Sequence, residues 1–560
     1  MKGSGRTANR RIRLLLLLLV LVFAGSLARA VWLQGVRAQS LSRMAVDQQR
    51  QVVTIPARRG TVYDRNGVEL AIGEQATTVY ADPKQVREPR RVAAAAARAF
   101  GLDEDALYRQ LLDRSRSFVY VRRKANPARA AVLIRKKLPG LGFYSEERRS
   151  YPQGPVAAHV LGYAGLDNVG IAGLERSLEP VLTGRPGRET IVKDALGRPI
   201  DVVSSIDERK GDDVVLTLDS TLQATAEQVL RETVLRWSAK AATAVVLDPR
   251  TGGVLAMATA PGFDANRFGE ATAERQRNRA VTDTYEPGST FKLVTVAGAL
   301  SDRIVTPQSA FVLPYSLQVA DRVIRDSHER GTERMTVAQI FARSSNVGTV
   351  TLGRMLGQRR LARWVSRFGY GRQTGIDYLG ETRGIVLPVE RWSGSTIGTV
   401  PIGQGIAVTP IQMAAAYAAI ANKGMFIRPH LVDHVSGRRR PRLERRRIVS
   451  RTVASQLVAL MQNVVAEGTG ELAAVEGYKV AGKTGTAQKP DRGGYSTSRY
   501  VASFVGFVPA SAPRLVIMVM VDEPKGAIWG GVVAAPAFQQ IARFGLQYLE
   551  IPPDAVAPGR

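Results

Sequence analysis

Residues 14–33 form an apolar run interrupted only by Arg29, and Lys2, Arg6, Arg10, Arg11 and Arg13 precede it. Such a span meets the roughly 20 residues an α-helix needs to cross a bilayer. The basic cluster puts residues 1–13 on the cytoplasmic side by the positive-inside rule, and Arg29 lies near the outer end, where it can extend to the interface. A cleaved secretory signal is the competing reading: residues 14–27 suit an h-region, and Ala28-Arg29-Ala30 has the small-x-small form of a cleavage site. Both readings export the rest of the chain; the expectation is an uncleaved single-pass anchor in the cytoplasmic membrane, N-terminus inside.

Export narrows what the composition means. The 560 residues carry a formal charge of +29, which favours polyanions, but an extracytoplasmic chain has little access to nucleic acid. The basic run at 438–447 lacks the aromatic interleaving of a strand-binding surface and reads as a solvated loop. There is no cysteine, and His159, His328, His430 and His434 form no metal-spaced motif. Chemistry must come from hydroxyl, amine, amide or carboxylate groups, with no metal or cofactor expected.

After the anchor, residues 34–50 read as a helical stalk and 52–55 as a strand. Asn66-Gly67 is a two-residue hairpin signal, and 92–100 and 127–137 suggest short helices. The charged stretch 204–213 is a candidate linker, closing a stalk and pedestal at 34–212. Beyond it, β-rich runs at 243–248 and 254–258 form a hairpin, and three more lie at 478–487, 500–508 and 514–521. Mostly helical sequence separates them, including 289–300, 337–356 and 410–422, and a helix at 535–549 follows. The expected fold class is α+β: an antiparallel sheet flanked by helices, built from both ends of a domain at 213–550. A tail at 551–560 completes the chain.

In Pro287-Gly288-Ser289-Thr290-Phe291-Lys292 a turn signal opens a helical pattern, so Ser289 stands at a helix start. Lys292 is three residues on, on the same helix face. A serine hydroxyl becomes nucleophilic when a base takes its proton, and lysine can be that base only if neutral. Burial, a second cation and the positive helix end all push its pKa down. Alone, the pattern is common, because serine often caps helices. Ser344-Ser345-Asn346, within the helical stretch, and Lys483-Thr484-Gly485-Thr486, on a strand, are each weak too; glycine in a strand permits close approach of another backbone.

The three in this order form the serine–lysine signature of penicillin-recognising acyltransferases. With Asn278-Arg279-Ala280, Glu286-Pro287-Gly288, the Arg59 to Gly67 segment and Val521-Asp522-Glu523-Pro524, the chain resembles the class B penicillin-binding proteins over nearly all of its length after the anchor. The resemblance implies an elongated α+β pedestal (dimerisation) domain and a serine-type D-Ala-D-Ala transpeptidase domain that cross-links peptidoglycan stem peptides and is acylated by β-lactams. It assigns Ser289 as nucleophile, Lys292 as base and Ser344 as proton relay. Asn346, Lys483, Thr484, Gly485 and Thr486 would bind substrate, with the backbone N–H groups of Ser289 and Thr486 as oxyanion hole.

The Ser-Asp-Asn common in β-lactamases is Ser-Ser-Asn here, which favours transpeptidation over hydrolysis. No glutamate stands out in the sequence as a deacylating base, and only Glu286 and Glu333 stay open. Within the class, the single anchor and compact first domain look most like septal, FtsI-like members, implying partnership with a membrane glycosyltransferase and other division proteins. An elongation-specific relative, a β-lactam sensor and a catalytically silent scaffold are the alternatives.

Overall fold

The computed structural model describes residues 4–40, 43–44, 50–193, 199–491 and 494–555. Packing divides it into two compact units, Met1–Arg58 with Gly184–Lys210, and Arg59–Thr183 with Gly211–Arg560. In the first unit, the helix Ser4–Val31 belongs to a segment long and apolar enough to cross a membrane. Leu14, Leu18, Leu21 and Phe23 on it are exposed. The expected stalk at 34–50 lies partly outside the described residues.

The same unit holds an antiparallel sheet of Arg50–Ile55, Gly187–Lys193 and Pro199–Ile206. Residues 204–206, expected in a linker, pair there as Ser204 with Thr190, Ser205 with Glu189 and Ile206 with Arg188. Val202, Val203 and Ile206 are all exposed. Neither face of this strand is buried, so it lacks the period-two alternation that marks a half-buried strand in sequence.

In the second unit the Asn66-Gly67 turn joins Val62–Tyr63 to Glu69–Ala81, with Gly67 at φ +84°. The helices Pro89–Phe100 and Pro127–Arg135 form as expected. Arg59 and Arg149 meet over the buried Glu175 carboxylate at 2.7 and 2.6 Å, and Arg59 also reaches Glu179 at 2.8 Å. Removing one member of such a buried cluster leaves an uncompensated charge, costing about 3–5 kcal/mol. By packing, 59–183 and 211–560 form one unit, a grouping that differs from the 34–212 and 213–550 ranges drawn from sequence pattern.

The centre of that unit is a five-stranded antiparallel sheet of β1 (Ala241–Leu247), β2 (Val254–Ala260), β3 (Ala481–Asp491), β4 (Gly494–Val508) and β5 (Leu515–Asp522), ordered β2-β1-β5-β4-β3. Alternate residues serve opposite faces. Val245, Leu247, Val505, Met518 and Met520 join a core with helices α2 (Lys292–Ser301), α3 (Asn346–Leu356), α4 (Pro410–Ala421) and α5 (Arg451–Ala466). Ala244, Val246, Phe504, Ile517 and Val519 pack with α1 (Ser220–Arg236) and α6 (Ala535–Tyr548). Both faces covered explains why these strands read as continuous apolar runs. Helix α4 is buried all round and starts with a capping box between Thr409 and Gln412.

Two regions differ from expectation. Residues 310–336 form two small antiparallel pairs, Ala310–Leu313 with Glu333–Thr336 and Ser316–Val319 with Arg322–Arg325, too short to show a period. The basic run is not all loop: Arg445–Arg447 pairs with Met425–Ile427, and the Arg446 guanidinium lies 5.0 Å from the Phe426 ring centroid.

Glu227 on α1 is buried, and its Oε1 accepts from the Ala157 N–H at 3.0 Å and the Gln223 amide at 2.8 Å. Burial pushes its pKa up to about 7. The folded chain therefore holds a proton that the unfolded chain releases from about pH 4.5 upward. Stability from this group is complete below that pH and is lost as the pH rises through about 7, by on the order of 3 kcal/mol. Glu227→Gln keeps both hydrogen bonds on its amide oxygen. Melting temperatures of the detergent-solubilised variant should fall less between pH 5 and pH 8 than those of the wild type.

Candidate active site

The turn that carries Ser289 is held by backbone contacts. Gly288–Phe291 is a 3₁₀ turn leading into α2, with Gly288 at φ +54° and its N–H donated to Gly403 O at 3.1 Å. Gly403, at φ +78°, lies so close that a Cβ there would stand 2.2 Å from Gly288 O. On the other side a Cβ on Gly485 would meet Ser503 Oγ at 2.4 Å, Thr290 Cγ2 at 2.9 Å and Pro287 O at 3.0 Å. Thr290 O accepts from the fully buried Tyr417 hydroxyl of α4 at 2.9 Å. Glycine's lack of a side chain is thus what lets β3 and the 403–405 turn touch the serine turn from both sides.

Ser344-Ser345-Asn346 does not lie inside one helix, as the pattern over 337–356 suggested. It joins the helix Val337–Ala342 to α3, with Ser344 at φ +58° and Ser345 as N-cap, its hydroxyl accepting from the Gly348 N–H. The serines and asparagine break the helix for the reason they disfavour its interior, which is competition for local backbone groups.

Lys292 Nζ donates to Ser344 O at 2.6 Å and Asn346 Oδ1 at 2.7 Å, and lies 3.2 Å from Ser344 Oγ. Lys483 Nζ donates to the same Ser344 Oγ at 2.9 Å and to Thr484 O and Oγ1, each at 3.3 Å. Both lysine side chains are fully buried, and their hydrogen-bond partners are neutral. Burial first, and the Lys483 charge second, hold the Lys292 pKa well below the usual lysine value. Burial brings Lys483 down to about 7.

Ser289, Ser344, Asn346, Thr484 and Thr486 line one cleft of about 550 Å³, while Lys292 and Lys483 lie behind its wall. All eight residues singled out in the three motifs therefore come together. β3 is the edge of the sheet, so its outer backbone groups face away from any sheet neighbour. Ser289 stands in the first turn of its helix, where N–H groups lack intrahelical acceptors. Neither suggested glutamate lines the cleft. Glu286 Oε1 takes the Gly405 N–H and the Tyr495 hydroxyl, and Glu333 pairs with Arg343 at the surface.

Other contributors had no motif to announce them. Thr469 shares a 2.7 Å hydrogen bond with Thr484, and Trp529 stacks against His328 along the cleft, centroids 5.9 Å apart. Gly530 was readable only as half of a Gly-Gly pair; a Cβ on it would lie 2.3 Å from Gly485 O.

Residues 242–543 match the Penicillin binding protein transpeptidase domain family, and residues 54–216 match the Penicillin-binding Protein dimerisation domain family. The chain is a class B penicillin-binding protein. This penicillin-binding protein is 34% identical to Peptidoglycan D,D-transpeptidase FtsI of Escherichia coli strain K12, over 98% of its own length and 93% of that protein's. It is also 34% identical to Stage V sporulation protein D of Bacillus subtilis strain 168, over 99% and 88%. A crystal structure of Penicillin binding protein 3 from Mycobacterium tuberculosis complexed with aztreonam superposes with a TM-score of 0.70 at 30% identity, covering 90% of this chain and 98% of that one. This penicillin-binding protein is accordingly a peptidoglycan D,D-transpeptidase.

Gly403→Ala should cut transpeptidase turnover roughly 10-fold or more, since a strained backbone costs about 1–3 kcal/mol where the Ser289 turn is held. Gly262→Ala, whose new Cβ meets nothing within 4 Å, should leave turnover unchanged. Equal rates for both variants would mean that the 403–405 turn does not fix Ser289.

Proposed function

We propose that this transpeptidase acts at the division septum through a Ser289 acyl-enzyme, anchored by its N-terminal helix with the catalytic domain outside. The observation carrying the mechanism is the wholly buried Lys292 amine bonded only to neutral groups. A neutral amine has two N–H donors, which the short bonds to Ser344 O and Asn346 Oδ1 use, leaving its lone pair for a hydroxyl proton.

Lys292 takes the Ser289 proton as Oγ attacks the carbonyl carbon of the penultimate D-Ala. The oxyanion is received by the N–H groups of Ser289 and Thr486. Lys483, Thr484 and Thr486 hold the terminal carboxylate by charge-assisted bonds, Asn346 holds a substrate amide, and the free edge of β3, with Gly485, pairs with the peptide backbone. Lys292 returns the proton through Ser344 to the departing D-Ala amine as the C–N bond breaks. The acceptor stem-peptide amine then attacks the ester and gives a proton to Lys292, and Ser289 leaves as the free hydroxyl. Lys483 has a second effect, since its charge beside Lys292 helps keep that amine neutral.

A β-lactam carries an amide and a carboxylate in similar array, and its leaving amine stays tethered after ring opening. Glu286 and Glu333 lie away from the cleft and Glu471 on its lining is solvent-exposed rather than held as a base, so the adduct should persist. The FtsI-like features of the sequence support the septal role, with a membrane glycosyltransferase and other division proteins as partners. The equal identity to Stage V sporulation protein D keeps a different site of wall synthesis as the second reading.

Intact-protein mass spectrometry after penicillin treatment should find one drug-mass increment on the peptide containing Ser289. Lys292→Arg should remain folded yet lose it, since guanidinium stays charged at working pH. Adduct formation at an ordinary rate in that variant would remove Lys292 as base. A fluorescent fusion should gather at midcell in dividing cells; uniform lateral-wall fluorescence would favour the elongation role.

A further inference from the structure

The Ser344 turn is strained, and something must hold it. A non-glycine residue in the left-handed region costs on the order of 1–2 kcal/mol and persists only where its surroundings over-determine it. The three residues that follow Ser344 are gripped by two consecutive residues, Arg325 at the end of the strand Arg322–Arg325 and Asp326 just beyond it. Arg325 O accepts from Asn346 Nδ2 at 2.8 Å. The Asp326 carboxylate accepts from the Ser345 hydroxyl, 3.0 Å from each oxygen, and from the Val347 N–H at 3.0 Å.

That carboxylate is buried, its side chain 8% exposed, and is itself held by Arg330 at 2.6 Å. Arg330 is fixed in turn by Leu313 O, Pro314 O and Gly331 O at 2.9–3.0 Å. A buried charge with two charge-assisted bonds on one side and a helix N-terminus on the other is fully partnered, and so acts as a rigid template.

We propose that Asp326 is a positioning residue for acylation: its carboxylate, delivered from outside the Ser-x-Asn motif and locked by Arg330, holds the 344–347 turn so that Ser344 and Asn346 present their oxygens to Lys292. The proposal rests on the reading of Ser289, Lys292 and Ser344 given above. It also accounts for the missing aspartate. Where the motif reads Ser-Asp-Asn, the carboxylate is within it; here position 345 is serine, and the carboxylate comes from 19 residues upstream, bonded to that serine's hydroxyl. Asp326 also faces Lys292 electrostatically, raising its pKa against the opposing effects of burial and Lys483.

The test uses the full-length chain in detergent and time-resolved acylation by penicillin, separating the non-covalent binding constant from the first-order acylation constant. Asp326→Ala should lower the acylation constant about 20-fold or more, the scale of releasing a strained turn, while binding changes less than threefold, because Lys483, Thr484 and Thr486 remain on β3. Asp326→Asn keeps an acceptor oxygen but not the charge for Arg330, and should show a smaller loss; it decides the matter if Asp326→Ala does not fold. The double variant Asp326→Ser with Ser345→Asp returns a carboxylate to the N-cap, within reach of the Val347 and Gly348 N–H groups, and should recover most of the lost rate. Wild-type acylation constants in Asp326→Ala or, failing that, in Asp326→Asn would overturn the proposal. So would a double variant no faster than Asp326→Ala, or a loss confined to binding. No adduct on Ser289 in the wild type would instead overturn the underlying reading.

Discussion

Two buried amines converging on one serine hydroxyl set the conditions for everything else in the catalytic unit. Lys292 and Lys483 both reach Ser344 Oγ, and neither hydrogen-bonds a carboxylate among the described residues. A charge on Lys483 opposes a second charge on Lys292, because two cations sharing one hydroxyl in a dry interior repel. Desolvation acts in the same direction, so the pair cannot comfortably hold both protons. The cluster thus resolves into one neutral amine and one group poised near neutrality, without a histidine or a metal. The constraint this places on the fold is strict, because water reaching either amine would restore its ordinary basicity.

The architecture meets that constraint by burying the sheet on both faces and using its edge as cleft wall. Lys483 lies on β3, and its side chain is enclosed because α5 packs against that strand. The same strand offers an unpaired outer edge to the cleft. One element therefore presents a dry face to the amines and a wet edge to the substrate, which only an edge strand can do.

What the sequence revealed was the chemistry with fixed local spacing. Ser289 and Lys292 are three apart in one turn, and Lys483 to Thr486 are consecutive on one strand, so short-range geometry fixes their relation before any tertiary structure is known. Ser344 was legible as a residue but not as a conformation: nothing in a helical-looking run over 337–356 indicates a positive φ, which tertiary contacts impose. Asp326 carried no signal at all, since its role exists only once a polar loop folds against the Ser345 turn. Glu227 likewise reads as one more acidic residue on an amphipathic helix until the Ala157 backbone is seen against it. The strand residues 204–206 passed for linker because a sheet exposed on both faces needs no apolar alternation.

The glycine-mediated contacts around Ser289 also bear on how such an enzyme can change over generations of drug exposure. Gly288, Gly403 and Gly530 lie against neighbouring backbone and Gly485 against Ser503 Oγ and Thr290 Cγ2, so they offer no side chain to trim, lengthen or recharge, and a replacement pushes on the Ser289 turn or on the strand beside it. At that centre a single substitution has little room to separate an antibiotic from a stem peptide. Leu472 and Trp529, by contrast, are 55% and 45% exposed on the cleft wall and can be exchanged without moving the serine. Adaptive drift is thereby channelled to the rim, where it can alter which molecules enter while the machinery that cuts the bond stays the same.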